Sequence, residues 1–179
     1  GVLKHVDVDR IQQQPGVVAV LVARDIPGRN DCGPLVHDDP ILAEGDVRYL
    51  GQPVFAVVAT TREAARRAAA LARQVIQVEP RPAVLSARQA HAQGAHLAEP
   101  MRLRRESGSG ALEAALAAAP HRLSGQFTLG GQEQFYLEGQ IAYALPQEDR
   151  GLRVLCSTQH PTEMQHVVAQ ALGLAAHQV

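Results

Sequence analysis

The sequence predicts an α+β fold, and three patterns predict it. Aliphatic, β-branched runs occupy residues 17–22, 54–59 and 75–78. A helix with one apolar stripe is written between the second and third of them. Beyond residue 122 the pattern changes to period-two alternation, closed by one further amphipathic helix. Strands and helices arranged in this way form mixed α and β layers around a common core.

Each element follows from local chemistry. The chain opens in an apolar alternation (Val2, Val6, Val8). The three aliphatic runs carry hardly a polar member, which predicts strands buried on both faces. Thr60 and Glu63 have capping-box spacing, so the hydroxyl accepts from an orphan amide while the carboxylate reaches back. Ala64, Ala68, Leu71, Ala72 and Val75 then fall on one side of a helix, with Arg62, Arg66, Arg67 and Arg73 mostly on its solvated face.

Residues 25–51 are rich in Gly, Pro, Asn and Asp, and irregular loops of this length commonly have a function or are mobile. Residues 79–110, with Pro80, Pro82, Pro100 and Ser107-Gly108-Ser109-Gly110, read as a second irregular stretch and a linker. An Ala-rich helix at 111–119 presents Leu112, Ala115 and Leu116 on one side and is stopped by Pro120. Three alternating segments follow: Leu123, Gly125, Phe127 and Leu129; Phe135 through Leu145; and Leu152, Val154 and Cys156. The polar turn at 146–151 joins the last two as a hairpin. Pro161 opens the final helix at a first-turn position. Met164, Val167, Val168, Ala171 and Leu172 form its buried stripe, and Gly173 stands at its C-terminal cap. The expected organisation is therefore a first domain at 1–80, a linker with a short helix at 81–121, and a second domain at 122–179.

Composition excludes several functions. With 179 residues the chain holds one full domain or two small ones. Seventeen basic residues against eighteen acidic ones give a net charge of −1, so there is no electrostatic footprint for nucleic acid or an anionic membrane. Three Tyr, three Phe and no Trp leave few rings for stacking bases. No apolar run approaches the ~18 residues of a membrane span. Cys32 and Cys156 are too few for a disulfide framework or a Cys-based zinc site, and a reducing, cytoplasmic location is expected. The chain starts at Gly1 without an initiator Met and stops at Val179 just after a helix, the pattern expected of a piece cut from a longer polypeptide.

Few residues announce chemistry on their own. His37, Asp38 and Asp39 share a loop, but adjacent side chains do not converge readily on one ion. Glu163 and His166 have the Glu-x-x-His spacing of di-iron bundles, without the second copy and further Glu residues such a site needs. His91, His96, His121 and His177 fall in loops or at helix ends and read as solvated. No nucleophile elbow, phosphate loop or dinucleotide fingerprint is present. Cys32 has no neighbouring base to activate it, and Cys156 falls on the apolar side of its strand. Two polar segments stand out. Residues 130–140 pack amide and carboxylate side chains around Phe135 and Tyr136, with Glu138, Gln140 and Tyr136 on one strand face. Cys156-Ser157-Thr158-Gln159-His160-Pro161 places hydroxyls and an amide where a strand ends and a helix begins, a common place for a ligand. From pattern alone, site and solvated surface are equally good readings of both.

Gly-Gly-Gln-Glu-Gln-Phe-Tyr-Leu-Glu (130–138) followed by Cys-Ser-Thr-Gln-His-Pro-Thr-Glu (156–163) resembles the molybdenum-binding subunit of the xanthine oxidase and aldehyde oxidoreductase family, in its bacterial xanthine dehydrogenase form. Asp31-Cys32-Gly33-Pro34, His37-Asp38-Asp39-Pro40 and the run from Gly51 to Ala59 resemble the same subunit's α/β-hammerhead domain. The resemblance implies a hammerhead domain followed by the first strands and helix of a molybdopterin-binding domain. Family members hydroxylate a carbon beside a ring nitrogen with oxygen from water, and the electrons leave through molybdopterin, two iron–sulfur clusters and FAD, usually to NAD. Gln159 matches the glutamine whose amide hydrogen-bonds an oxo ligand of molybdenum, so it is the one cofactor-binding residue implied; no metal ligand and no catalytic residue fall within the chain. The family's catalytic glutamate and most pterin contacts lie further along the family sequence, so the isolated piece is expected to be inactive and to bind no cofactor.

The partner implied is a subunit carrying FAD and 2Fe-2S clusters, with a purine as substrate and a dimer of heterodimers as the assembly. Relatives that oxidise aldehydes or other N-heterocycles remain open readings. So do a non-catalytic docking module for the partner subunit and an α+β fragment that self-associates through open sheet edges.

Overall fold

The computed structural model describes residues 1–96, 98, 99, 101, 110–137 and 139–179. Two compact units are present, one made of Gly1–Ala83 with Gly139–Val179, the other of Val84–Glu138.

The first unit begins with β1 (Val2–Val6), α1 (Val8–Gln12) and β2 (Val17–Val22). After a long loop come β3 (Phe55–Ala59), α2 (Arg62–Ala69), α3 (Ala72–Val75) and β4 (Ile76–Glu79). β1 pairs antiparallel with β4, and β2 with β3. The second unit holds α4 (Ala87–Ala92) and α5 (Ala111–Ala118). The first unit then closes with the antiparallel hairpin β5 (Ala142–Pro146) and β6 (Leu152–Cys156), and with α6 (Pro161–Leu172).

The core lies where the helices cover one face of β2 and β3. Ile11, Val20, Ala68 and Val75 are buried there, with Val17, Phe55, Val57 and Leu71 packed against them. Ile11 and Ala68 have no exposed surface. Burying an isoleucine side chain is worth about 1.5–3 kcal/mol. The expected single helix is divided into α2 and α3, but its expected stripe is the buried or half-buried one, and Arg62, Arg66, Arg67 and Arg73 are exposed as expected.

Several expectations are corrected. The strands are not buried on both faces: Val18, Leu21, Val58 and Val78 are exposed. Each pairing is a two-stranded antiparallel ladder covered on one side only, so the apolar runs do not report two covered faces. Thr61, not Thr60, caps α2, its hydroxyl accepting from the Ala64 amide at 3.1 Å. Thr60 directly follows β3 and is engaged elsewhere, its own amide donating to the Gly16 carbonyl at 2.8 Å. α1 was not expected; Asp7 caps it by accepting from the Arg10 amide. Nor was α4, which Ser86 caps within a stretch whose prolines suggested a linker.

The largest correction concerns residues 123–129 and the described part of 135–141, which form no strand. Leu123, Phe127 and Leu129 are 105%, 84% and 80% exposed. Alternation supplies the period of a strand, but a strand also needs a ladder of backbone hydrogen bonds to a neighbour, and the ladders among the described residues do not include these. The 146–151 turn and the hairpin around it form as expected.

α6 is fastened at both ends. Pro161 stands at its start and Gly173, at φ 66°, ends it in the left-handed conformation. Ala169 is its buried residue, while Leu172, expected in the stripe, is exposed. The last carbonyls of a helix have no partner within it. Here Leu174 N–H donates to Ala169 O at 2.8 Å, while Arg29 N–H and Gly28 N–H, from the long loop, donate to Gln170 O and Ala171 O, each at 2.9 Å. A side chain at Gly28 would collide with the Gln170 carbonyl oxygen and approach the Gly173 nitrogen to 2.8 Å. We therefore expect Gly28→Ala to destabilise this unit by about 1–3 kcal/mol, the usual cost of overpacking. Urea unfolding measures it, and amide exchange at Arg29 should accelerate.

Candidate functional site at the β6–α6 junction

Residues 26–54 contain no helix or strand, yet their backbone is held by side chains. Asn30 accepts from the Leu42 amide at 3.0 Å and donates to the Leu42 carbonyl at 2.8 Å. Arg48 N–H donates to the buried Gln52 Oε1 at 2.7 Å. The centre of this network is Asp31, only 8% exposed. Its Oδ1 accepts from the Gly33 and Asp39 amides at 3.0 and 3.2 Å. Its Oδ2 meets His37 Nδ1 at 2.9 Å and Arg29 Nε at 3.3 Å. Arg29 is also the residue whose amide binds the end of α6, so the loop network and the helix anchor share one residue.

These contacts explain the acidity of the site. The Gly33 amide holds the Asp31 carboxyl below the usual aspartate range, against the opposing effect of burial, and the Asp39 amide, Arg29 and His37 act in the same direction as Gly33. The Cys32 thiol is pushed up by burial and then by the negative charge of Asp39. It donates to the Asp39 carbonyl at 3.3 Å. A protonated, engaged thiol is a poor nucleophile, in keeping with the reading of Cys32 from sequence.

At the other end of α6 lies the polar junction. β6 delivers Cys156, and Ser157-Thr158-Gln159-His160 turn the chain into the helix. A cavity of about 320 Å³ between β6 and α6 is lined by Val154, Cys156, Thr158, Pro161, Met164 and Val168 among others. Gln159 is exposed beside this turn, does not line the cavity, and has no hydrogen bond to another described residue. Its amide is therefore free to donate outward. The turn is tied on either side of it, by Thr158 Oγ1 accepting from His160 N–H at 3.1 Å and by His160 Nδ1 accepting from Glu163 N–H at 3.2 Å.

His37, Asp38 and Asp39 do not converge: His37 faces Asp31, Asp38 meets Arg48 at 3.4 Å, and Asp39 offers its amide. Among the described residues no group of three or more His, Cys, Asp and Glu residues could hold a metal ion. Residues 130–137 and Gln140 are exposed and lie outside any strand, and Glu138 lies outside the described residues. Both thiols are free. Sequence reading missed Asp31 as a hub, although an Asp two residues before a Gly is a known turn signal. It also missed the anchor at Gly28 and Arg29, which no local pattern announces.

Residues 1–81 match the aldehyde oxidase and xanthine dehydrogenase a/b hammerhead domain, and residues 93–179 match the molybdopterin cofactor-binding domain. The chain belongs to the xanthine oxidase and aldehyde oxidoreductase family. It is 35% identical to a xanthine dehydrogenase of Dictyostelium discoideum over 177 residues, covering 99% of this chain and 13% of the relative. It is 39% identical to a xanthine dehydrogenase of Drosophila pseudoobscura pseudoobscura, covering 92% and 12%. The chain thus spans about an eighth of these relatives. Aldehyde oxidoreductase from Desulfovibrio gigas shares the fold with a TM-score of 0.78 at 22% identity, covering 99% of this chain and 21% of that one. Quinoline 2-oxidoreductase from Pseudomonas putida 86 gives 0.73 at 26%, covering 99% and 24%. The fold is that of a hammerhead domain with part of a molybdopterin-binding domain, α and β mixed as the sequence predicts. Among the described residues no helix is long and apolar enough to cross a membrane.

The Asp31 network carries a pH dependence whose sign is set. Folded Asp31 holds its proton less tightly than the unfolded chain does, so its stabilisation is complete above the ordinary aspartate range and is lost as pH falls below it. Amide resonances of Gly33 and Asp39 should keep their positions down to about pH 4 and move only below it. In Asp31→Asn they should lose that acid transition.

Proposed function

We propose that this chain is part of a molybdenum hydroxylase that oxidises purines, hypoxanthine and xanthine to urate, with oxygen from water. The observation that carries the reading is the unspent Gln159 amide at the β6–α6 junction, in a chain 35–39% identical to xanthine dehydrogenases along nearly its whole length. The donor set fits a molybdenum–pterin group in its outer surroundings. Gln159, Thr158 and Ser157 are neutral side chains, and the described residues hold no cluster of metal ligands to compete. When bound, that group supplies the oxygen-transfer and electron-accepting chemistry.

The chain's own part is orientation and hydrogen bonding. Gln159 would donate its amide to an oxo group of the cofactor, stabilising negative charge there without adding a titratable residue. The turn around Gln159 is braced by Thr158 and His160, so little side-chain reorganisation is needed to present it. Electrons would pass to a partner subunit with 2Fe-2S clusters and FAD and on to NAD, in a dimer of heterodimers. Two free thiols fit a reducing cytoplasm. Aldehyde or other N-heterocycle oxidation is the competing reading. It is favoured by 38% identity to aldehyde oxidase 2 of Cavia porcellus and by the likeness to quinoline 2-oxidoreductase.

In the complete enzyme, Gln159→Ala should lower kcat about 10–100-fold, the usual cost of losing a hydrogen bond to a metal's ligand. Molybdenum content should stay at the parent level. Unchanged kcat would remove Gln159 from the reading, and a substrate panel of xanthine, benzaldehyde and quinoline decides between the two chemistries. The isolated 179-residue chain should contain no molybdenum by elemental analysis and show no xanthine-dependent dye reduction; clear activity would refute this.

A further inference from the structure

We propose that the outer edge of β1 is an acceptor site for one extended strand, supplied by the same polypeptide from outside these 179 residues. The site lies in the first unit and does not depend on the role given to Gln159.

In an antiparallel ladder, successive residues of a strand point their backbone groups alternately to one side and the other. Asp7 N–H donates to Val75 O at 2.9 Å, and Val6 stands opposite Ile76, one step away from that bonded pair. The Val6 amide and carbonyl therefore face away from β4. The register slips between Leu3 and His5, which turns Leu3 to the same outer side. There the edge is already taken. Leu3 N–H donates to Gly45 O at 2.7 Å, and Val2 bridges Asp46. The Gly1 amine donates to Val47 O at 2.8 Å, and Val47 N–H to Gly1 O at 2.9 Å. Residues 45–47 thus run as a third strand beside the first half of β1. Gly45, at φ 77°, bends the chain away from the edge.

The second half of β1 borders a cleft of about 480 Å³. Val6, Val8, Val22 and Val54 give it apolar walls, and the exposed Asp9, Arg24 and Glu44 line it as well. Among the described residues none of these three charges has an ion pair. Nor does any of their backbone groups outside the ladder bond the Val6 amide or carbonyl. Val6 is half-buried, and backbone groups taken from water without a partner are costly. An added strand satisfies them and continues the row that residues 45–47 begin. Apolar side chains at alternate positions match the valines, and charges of both signs between them match Arg24 on one hand and Asp9 and Glu44 on the other.

The length of the free edge decides the source. It runs only from Lys4 to Val6, because Asp7 already caps α1. So few bonds do not repay the freedom that a separate peptide or a second copy loses on binding. A tethered strand loses far less, since its tether sets a high effective concentration. The xanthine dehydrogenase relatives hold about eight times as much chain as these 179 residues, ample to provide one.

Hydrogen exchange, read residue by residue, tests whether the edge is covered. In the 179-residue chain the Val6 amide should exchange quickly, while that of His5, turned inward to β4, exchanges slowly. In the complete enzyme Val6 should exchange about 100-fold more slowly, with His5 slow in both. A Val6 amide that is already slow in the 179-residue chain, or equally fast in both proteins, would overturn the proposal. Photocrosslinking identifies the cover. Arg24→p-benzoylphenylalanine in the complete enzyme should join to a stretch of the same polypeptide outside residues 1–179, with apolar residues at alternate positions. Crosslinks confined to residues 1–179, or made to a second copy or another subunit, would overturn it too. The exchange measurement uses the unsubstituted enzyme, so it stands even where the variant fails to fold. Neither readout involves substrate, and failure here is separate from failure of the Gln159→Ala kinetics.

Discussion

Two backbone hydrogen bonds govern the geometry of the candidate site. Gly28 and Arg29 donate their amides to the last carbonyls of α6, groups that a helix cannot satisfy for itself. Through this seam a helix from the end of the chain is held by a loop near its start. The polar turn before α6, with Gln159 and His160, is one rigid helix length away from that anchor. The seam asks for no particular side chain. It asks for the absence of one at residue 28, where the helix carbonyls leave no room for a Cβ.

The anchor is useful only if the loop that supplies it is itself ordered, and ordering irregular backbone costs about 1–2 kcal/mol per residue in entropy. Side chains replace the ladder that a sheet would provide. Asn30 brackets Leu42, Gln52 accepts from Arg48, and Asp31 gathers two amides, a guanidinium and an imidazole around one carboxylate. Arg29 links the two tasks, its amide on the helix and its guanidinium on Asp31. A loop built this way is stiff where it touches α6, while Leu35, Tyr49 and Leu50 elsewhere in the same stretch remain exposed.

The second unit shows the opposite condition. Leu112 and Leu116 of α5 and the alternating residues of 123–129 are exposed and belong to no ladder among the described residues. Apolar periodicity describes a face, and a face becomes an element only when something covers it. The relatives are about eight times longer than this chain, so the same pattern sits among far more chain in them.

Local chemistry was enough to locate β2, β3, β4, the β5–β6 hairpin and α6, because each is specified by neighbours in sequence: aliphatic runs, a polar turn, Pro161 at a helix start and Gly173 at its end. The same chemistry exposed the strand-to-helix junction with Gln159, since hydroxyls and an amide between two apolar elements are visible in a line of letters. It did not decide which threonine caps α2, because Thr60 is drawn off by Gly16 from another part of the chain. Nor did it decide whether the aliphatic strands are covered on one face or two, or whether 123–129 pairs at all. Those outcomes, like the meeting of Gly28 with the end of α6, depend on residues far apart in sequence arriving at the same place. No window of local pattern contains that information; only the folded arrangement does.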